Sequence, residues 1–208
     1  VVTQTGVLTA ASADFQGGTS YTLNSANSIG SVTANTGTLS LTNNRSTSTL
    51  GAVTTTGALT LSTTGTISQL ASTALTATAL TLSGTGSYSL ANTGNSFNTL
   101  DANTGSINLY NSAGATSFGT VTTSGAFAFN TGAAGVVTQT GILTAASADF
   151  QGGTSYTLNS NNSIGSVTAN TGTLSLTNNR STSTLSAVTT TGALTLSTTG
   201  TISQTAAL

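Results

Sequence analysis

The feature that most constrains this chain is a long internal repeat. The stretch VVTQTGVLTAASADFQGGTSYTLNS at Val1 returns with one change at Val136. Self-similarity at a fixed period is the signature of repeat architectures and has to be read before any local pattern. We therefore interpret residues 1–135 as one long repeat unit and residues 136–208 as a second, partial copy.

A shorter period lies inside the long unit. Five similar phrases, such as TGTLSL and TGALTL, alternate apolar and small polar residues, and this period of two is typical of β-strands. The phrases follow one another at a nearly constant spacing, with one wider gap before the fourth. We expect a coil of about 20–22 residues with an occasional longer one. The first apolar residues of the phrases are Leu39, Leu59, Leu80, Ile107 and Phe127.

A coil of this length with two or three short strands predicts an all-β fold, a right-handed parallel β-helix (β-solenoid). One coil cannot bury its apolar face alone, whereas stacked coils can, so we expect Leu59 to lie over Leu39 and Leu80 over Leu59. The prediction is a single continuous β-solenoid over residues 1–208, with roughly ten coils about 4.8 Å apart.

The near absence of charge fits such a stack. The chain has two Lys or Arg, three Asp or Glu and no Pro. A charge repeated in every coil would face its own copy about 5 Å away, and Pro would remove a ladder donor. Ser, Thr and Asn can instead hydrogen-bond along the stack, and we expect the Asn of each ANTG phrase to form such a ladder at a turn. These residues are Asn35, Asn103 and Asn170.

Several function classes are disfavoured by composition. Two arginines cannot neutralise the phosphates of a nucleic acid, and no apolar run is long enough to enter a membrane directly. Cysteine and histidine are absent, which removes thiolate and imidazole metal ligands, and we expect no cofactor.

We also expect no enzyme activity. The acids Asp14 and Asp149 are copies separated by the long repeat, roughly 30 Å apart on the predicted rod, and Asp101 stands alone. Polysaccharide-cleaving β-helices need clustered carboxylates, and a nucleophilic serine needs a base that the chain lacks. A polysaccharide-binding or polysaccharide-processing role is therefore the weakest alternative.

Three side chains are candidates for contact with a partner. Arg45 and Arg180 occur once per long unit in TNNRSTS and could meet an anionic glycan; the alternative is a solvated loop charge paired with Asp14 or Asp149. Tyr110 lies outside the register of the other tyrosines, which predicts that it is exposed. We expect the remaining tyrosines to pack against the core. They are Tyr21, Tyr88 and Tyr156.

The phrases GVVTQTGILTA, TTTGALTLSTTGTISQ and GSVTANTGTLSL resemble the repeat regions of filamentous-haemagglutinin-like exoproteins of the two-partner secretion type. Passenger domains of autotransporters are similar. The resemblance implies a right-handed β-helix at the bacterial cell surface or outside the cell, with a structural or adhesive role. The expected partners are further copies of the repeat, through self-association into filaments, or a cell-surface glycan.

Ice binding is the main alternative function. Some solenoids present flat arrays of Thr to ice, and the outward pairs expected here include Thr38 with Ser40 and Ala58 with Thr60. The other expected pairs do not continue a regular Thr-x-Thr ladder. They are Ala79 with Thr81, Ser106 with Asn108, and Ala126 with Ala128.

Overall fold

The computed structural model describes residues 1–205 and shows a β-solenoid of about 11 turns. Twenty-one strands form one continuous sheet, every pairing is parallel, and residues 1–205 contain no helix. With a coil spacing of about 4.8 Å, the rod is about 50 Å long. The all-β stacked fold predicted from the sequence is confirmed.

The strands are short and follow one another along the whole described chain, separated by corners of a few residues. In the first third they are β1 (Val2–Thr3), β2 (Thr9–Gln16), β3 (Tyr21–Thr36), β4 (Leu39–Asn43), β5 (Thr47–Thr55) and β6 (Ala58–Ser62). The middle third holds β7 (Thr66–Gln69), β8 (Leu75–Thr76), β9 (Ala79–Ser83), β10 (Ser87–Leu90), β11 (Thr99–Thr104), β12 (Ser106–Asn111), β13 (Ala115–Thr123) and β14 (Ala126–Thr131). The last third holds β15 (Val136–Gln139), β16 (Leu143–Gly152), β17 (Ser155–Thr171), β18 (Thr173–Asn178), β19 (Thr182–Thr190), β20 (Leu194–Ser197) and β21 (Thr201–Gln204).

Apolar residues stack in ladders that run along the rod, each residue pairing with its counterpart one coil later. The expected stacking of Leu39, Leu59 and Leu80 is confirmed, and all three side chains are buried. Some coils are slightly shorter than predicted, such as the one from Tyr21 to Leu39. The apolar part of this ladder consists of Val2, Tyr21, Leu39, Leu59, Leu80, Leu100 and Phe118, and the partner of Phe118 in the next coil is Gln139.

Each coil has three faces. Within one coil the chain passes through Leu100, Ile107 and Thr116, which belong to three different ladders. Leu100 continues the ladder just described, which we call face 1. Ile107 pairs with Tyr88 on face 2, and Thr116 pairs with Val137 on face 3. A residue's position on the rod is therefore defined by its coil and by its face.

The three faces correct one sequence prediction. Ile107 and Phe127 were expected to continue the stack of Leu80 across a longer coil. They lie instead on face 2, where Ile107 pairs with Tyr88 and Phe127 with Ile107. The wide gap between Leu80 and Ile107 is one coil plus one face, since Leu80 pairs with Leu100 and Ile107 lies one strand beyond it.

The structure also shows a repeat of intermediate length. Tyr21, Tyr88 and Tyr156 occupy equivalent places at almost equal intervals along the chain, and they lie on faces 1, 2 and 3. From each of these tyrosines to the next, the chain therefore makes three complete coils and then passes along one further face. We divide the chain into a first unit (1–65), a second unit (66–135) and a third unit (136–200). The long repeat spans six coils plus two faces, so its two copies point in different directions.

A single apolar core runs along the axis. Inward positions alternate with outward polar positions in the strands, as in the buried–partly buried pattern of β4. Aromatic rings concentrate where the second unit meets the third. Phe118 lies edge-on to Phe127 and Phe129, with ring centroids 5.4 and 4.9 Å apart, and Phe129 lies 6.5 Å from Tyr156. This aromatic cluster joins two units through side-chain packing as well as through the ladders.

Candidate functional site: the polar corners

One edge of each unit carries a column of polar side chains that are buried or half-buried. The column of the first unit rises through Gln4, Asn27, Asn43 and Thr63, one residue per coil. Asn27, Asn43 and Thr63 are at most 1% exposed. The second and third units repeat the column in the same order of residue types. Its members there are Gln69, Asn95, Asn111 and Thr131, and then Gln139, Asn162, Asn178 and Thr198.

Asn43 shows how the column holds a corner together. Its Oδ1 accepts a hydrogen bond from the Ile29 amide at 2.8 Å, and its Nδ2 donates to the Ile29 carbonyl at 2.9 Å. Nδ2 also donates to the hydroxyl of Ser48 at 2.9 Å. The side-chain amide thus replaces the backbone partners that Ile29 would otherwise find in the next strand. Asn111 and Asn178 bond Phe97 and Ile164 in the same way.

Asn27 links three coils. Its Oδ1 accepts from the Leu8 amide of the coil below at 2.8 Å. Its Nδ2 donates to the carbonyls of Leu23 in its own coil and Thr42 in the coil above, both at 3.0 Å. Gln4 completes the contact from below. In the described chain, no buried side-chain nitrogen or oxygen lacks a hydrogen bond. Since an unpaired buried polar group costs about 1–3 kcal/mol, this complete pairing is required for stability.

The asparagines predicted to form a ladder are different ones, and that prediction is wrong. Asn35, Asn103 and Asn170 are exposed. The first two stack on other residue types, because Asn35 pairs with Gln16 and Thr54, and Asn103 pairs with Ser83 and Thr122. Asn170 likewise pairs with Gln151 and Thr189. The ANTG phrase places its Asn on the outward side of the strand, while Ala and Thr beside it point inward.

A sequence signal for the true column exists at the intermediate repeat length. Asn27, Asn95 and Asn162 are almost evenly spaced along the chain. Asn43, Asn111 and Asn178 follow them, each at the same distance from its predecessor. The long repeat hides this signal because the second unit has diverged in most other positions. Alignment of the three units with one another reveals it.

Arg45 and Arg180 lie in exposed corner loops shortly after Asn43 and Asn178. Within residues 1–205, the suggested pairing with Asp14 or Asp149 is not observed, and both carboxylates accept hydrogen bonds from Thr and Gln side chains. The two arginines are separated by six coils and two faces, so they face different directions.

The carboxylates of Asp14 and Asp149 are held by neighbouring polar side chains. Asp14 accepts from Thr33 at 2.7 Å and from Gln16 at 2.6 Å, and these hydrogen bonds lower the pKa of its carboxyl. Asp149 accepts from Thr168 and Gln151 at 2.8 and 2.6 Å. The same arrangement thus occurs in the first and third units.

Three of the four tyrosines pack as predicted. Tyr88 and Tyr156 are buried, and their hydroxyls donate to the carbonyls of Ser83 and Gln151, both at 2.8 Å. Burial raises the pKa of both phenols. Tyr21 is half-buried against Phe15 in the first coils. Tyr110, predicted to be exposed, is half-buried on an outward position of β12.

The three acids do not converge. Asp14 and Asp149 lie in β2 and β16, and Asp101 in β11 accepts a hydrogen bond from the Thr120 amide at 3.0 Å. Within residues 1–205, no group of three or more acidic, histidine or cysteine side chains is placed to hold a metal ion. No helix able to cross a membrane is found in the same residues.

The outward pairs considered for ice binding do not form one surface. Ser40, Thr60 and Thr81 stack on face 1, but the row continues into Asp101. Asn108 and Ala128 lie on face 2 instead. The array is therefore split between faces and interrupted by a carboxylate.

The fold and its polar corners define a β-solenoid repeat protein. Comparison with protein families gives matches over residues 36–104, 102–171 and 171–208 to a family described as repeats of unknown function (DUF5649), and the chain belongs to this family. The first two matches are each about as long as the intermediate unit, so the length of the family's repeat agrees with that of the unit. Neither a curated protein nor a solved structure matches the chain.

Proposed function

We propose that this chain is a non-enzymatic structural rod, a spacer or stalk segment of a larger bacterial surface protein. The observation that carries the proposal is the way one polar column ends and the next begins. Thr63 closes the first column, and Gln69 opens the second one face further on. Thr131 and Gln139 repeat this step. Successive units therefore share one continuous interior, and a further unit can follow by the same step.

The distribution of charged side chains supports the same role. A catalytic or metal site brings several titratable groups together. Here the three carboxylates lie on three different strands, and each is hydrogen-bonded to Thr, Gln or backbone groups. The outward rows consist mainly of Ser, Thr, Ala and Asn. Such a surface suits a spacer, which has to remain soluble without binding its surroundings.

Location outside the cell and an adhesive end belong to this proposal as well. They are supported by the resemblance of the repeat phrases to filamentous-haemagglutinin-like exoproteins. Protease treatment of intact source cells tests the location, because a surface rod is cleaved while cytoplasmic markers remain whole. A chain that is protected until the cells are lysed would contradict it.

The rod role is tested by length. Insertion of a second copy of residues 1–135 after residue 135 adds six coils and two of the three faces of another. At a spacing of about 4.8 Å per coil, we expect the particle to lengthen by about 32 Å. Small-angle X-ray scattering measures this as an increase in maximum dimension at constant cross-section. A larger cross-section or an unchanged length would rule out the proposal.

A further inference from the structure

An open groove crosses one edge of the rod in the first and third units. It runs over three stacked corners, each with a glycine, and its volume is about 600 Å³ in the first unit and about 550 Å³ in the third. The same groove thus occurs twice, once in each copy of the long repeat. The corner glycines are Gly17, Gly37 and Gly57, and then Gly152, Gly172 and Gly192.

Neighbouring coils are seen on both sides of this groove. In the first unit a coil lies above it, since the Thr78 amide donates to the Gly57 carbonyl at 3.0 Å. In the third unit a coil lies below it, since the Gly153 amide donates to the Gly132 carbonyl at 3.2 Å. The groove is therefore a property of the three corners themselves.

Close stacking of the backbone explains the glycines. A Cβ atom added at Gly37 or Gly172 would lie 2.2 Å from the carbonyl oxygen of the corner below, which belongs to Thr19 or Thr154. Only a residue without a side chain fits at this distance, so peptide groups form the floor of the groove. The other lining residues are Thr, Asn and one Ala, so no large side chain among them covers this floor.

An asparagine without a partner stands at the side of each groove. Asn35 lines the groove of the first unit and Asn170 that of the third, and both are exposed. Within residues 1–205, neither side-chain amide forms a hydrogen bond. Each pairs along the ladder with a glutamine, Gln16 or Gln151. A free amide offers a ligand both donors and an acceptor.

A carboxylate lies in the adjacent outward row. Asp14 pairs with Thr33, and Asp149 pairs with Thr168. The threonine hydroxyl and the nearby glutamine amide both donate to the same oxygen, Oδ1, of each carboxylate. Within residues 1–205, Oδ2 accepts no hydrogen bond, so each carboxylate is held in place by one oxygen and presents the other to a ligand.

The second unit keeps an acid in this row although most of its other positions differ. Thr81 and Asp101 pair with each other and occupy the places of Asp14 and Thr33, so the two residue types are exchanged between the coils. The exposed Asn103 lies beside them. The chain has only three acids, and each unit carries one of them here. Stacking alone does not require a charge in this row, which indicates a role toward a ligand.

The groups around the groove favour a ligand rich in hydroxyls. No cation is among the lining residues, which disfavours phosphate or sulfate, and one carboxylate falls short of the about six to eight oxygens that calcium takes. A sugar hydroxyl can donate to a carboxylate and accept from an amide at the same time. The first and third corners are two coil spacings apart, about 10 Å, which leaves room for about two sugar rings.

We propose that this groove binds a short segment of an uncharged glycan, whose hydroxyls hydrogen-bond to the free asparagine amide and to the neighbouring carboxylate. The site of the first unit uses Asn35 and Asp14, and that of the third uses Asn170 and Asp149. Unlike hydrolysis, such binding needs no pair of carboxylates. The proposal goes beyond the rod function, because it adds binding sites to the flank while the rest of the outward surface remains that of a spacer.

Titration with uncharged oligosaccharides tests the site in the chain of residues 1–208. The probes are cellotetraose, chitotetraose and maltotetraose, and a heparin-derived tetrasaccharide is the sulfated comparison. We expect at least one uncharged probe to shift the nuclear magnetic resonance signals of the Asn35 and Asn170 side chains and of the corner glycines, with one ligand per groove. No shift of these signals by any uncharged probe, or tighter binding of the sulfated one, would overturn the proposal.

A pair of double variants separates this site from general adsorption to the polar surface. Asn35→Ala combined with Asn170→Ala is expected to weaken binding at least about tenfold, because the amide contacts are lost. Asn44→Ala combined with Asn179→Ala is the matched control, at the opposite ends of β4 and β18 from the groove, and should leave the affinity unchanged. Equal affinities of the two double variants would contradict the assignment.

The carboxylate is tested separately. Asp14→Asn combined with Asp149→Asn keeps the side-chain size and is expected to weaken glycan binding about threefold or more, because charge-assisted hydrogen bonds become neutral ones. Unchanged affinity would remove the carboxylates from the site, and shifts that appear with calcium alone would replace the glycan by a metal ion; either result overturns the proposal as stated. The length test of the rod function does not depend on these measurements, so the two proposals can fail separately.

Discussion

Asn43 lies directly above Asn27 on one edge of the solenoid, although the chain between them is shorter than the chain between Leu39 and Leu59 of the apolar ladder. The register shifts between Leu23 and Asn27, and the coil closes early because the two side-chain amides replace backbone partners at the corner. The polar column therefore determines where each coil turns.

The first prediction concerns this column. Asn43→Ala is expected to lower the free energy of unfolding by about 1–3 kcal/mol, because the buried Ile29 amide loses its acceptor. Urea denaturation measures the loss. Asn35→Ala is the matched control, since Asn35 is exposed, and should remain within about 0.5 kcal/mol of the original chain. Equal effects of the two substitutions would contradict a structural role of the column.

The second prediction concerns the tight corner at Gly37. A Cβ atom added there would lie 2.2 Å from the carbonyl oxygen of Thr19 in the neighbouring coil. The backbone cannot yield without breaking the ladder, so Gly37→Ala should destabilise the protein by about 1–3 kcal/mol. Gly114→Ala is the control, because nothing lies within 4 Å of a Cβ at that corner. The melting temperatures of the two variants test this prediction. A Gly37→Ala protein as stable as the original chain would show that the corner can accommodate a Cβ atom.

The third prediction is a loss of stability in alkali. Burial raises the pKa of Tyr88 and of Tyr156 in the folded chain, while the unfolded phenols ionise near pH 10.0. Above that pH the unfolded state releases protons that the folded state retains. Stability is therefore fully present below about pH 10 and falls as the pH rises further, by up to about 1.4 kcal/mol per pH unit for each tyrosine.

Unfolding measurements from pH 8 to 11 test this dependence. Tyr88→Phe should reduce the slope and also lower stability by about 1 kcal/mol at neutral pH, because its hydroxyl bonds to Leu61 and Ser83 are lost. A slope that survives in the Tyr88→Phe, Tyr156→Phe double variant would assign the alkaline loss to other groups.

The fourth prediction compares two equivalent bulges. Gly51 and Gly119 both lie where two residues oppose one in the strand below. Ser186 occupies the same place in the third unit, so Gly51→Ser should change stability by less than about 0.5 kcal/mol. Gly119→Ser should cost about 1 kcal/mol, because its Cβ would displace the Asp101 carboxylate from the Thr120 amide. Chemical denaturation of the two variants measures the difference in their free energies of unfolding. Equal losses of stability in Gly51→Ser and Gly119→Ser would contradict the prediction.

The inward residues of the strands were predictable from the sequence. In TLSLT and ALTLS the period of two assigns Leu39 and Leu59 to the interior, and the structure confirms both. The buried asparagines were not predictable from local pattern, because Asn27 and Asn35 occur in equally polar surroundings. Their difference is set by the coil below and the coil above, which supply the backbone groups that Asn27 bonds.

The sequence by itself determined the strands, their inward sides, the approximate coil length and the neutral surface, because each follows from local alternation and from the stacking of like on like. Only the tertiary structure decided which of the three faces each strand occupies. The face that a strand occupies depends on the lengths of all corners and bulges before it. A bulge such as the one at Gly119 accommodates an extra residue, while the alternation of inward and outward side chains continues on either side of it. For this reason the wide gap between Leu80 and Ile107 looked like a long coil, although it moves Ile107 to the next face.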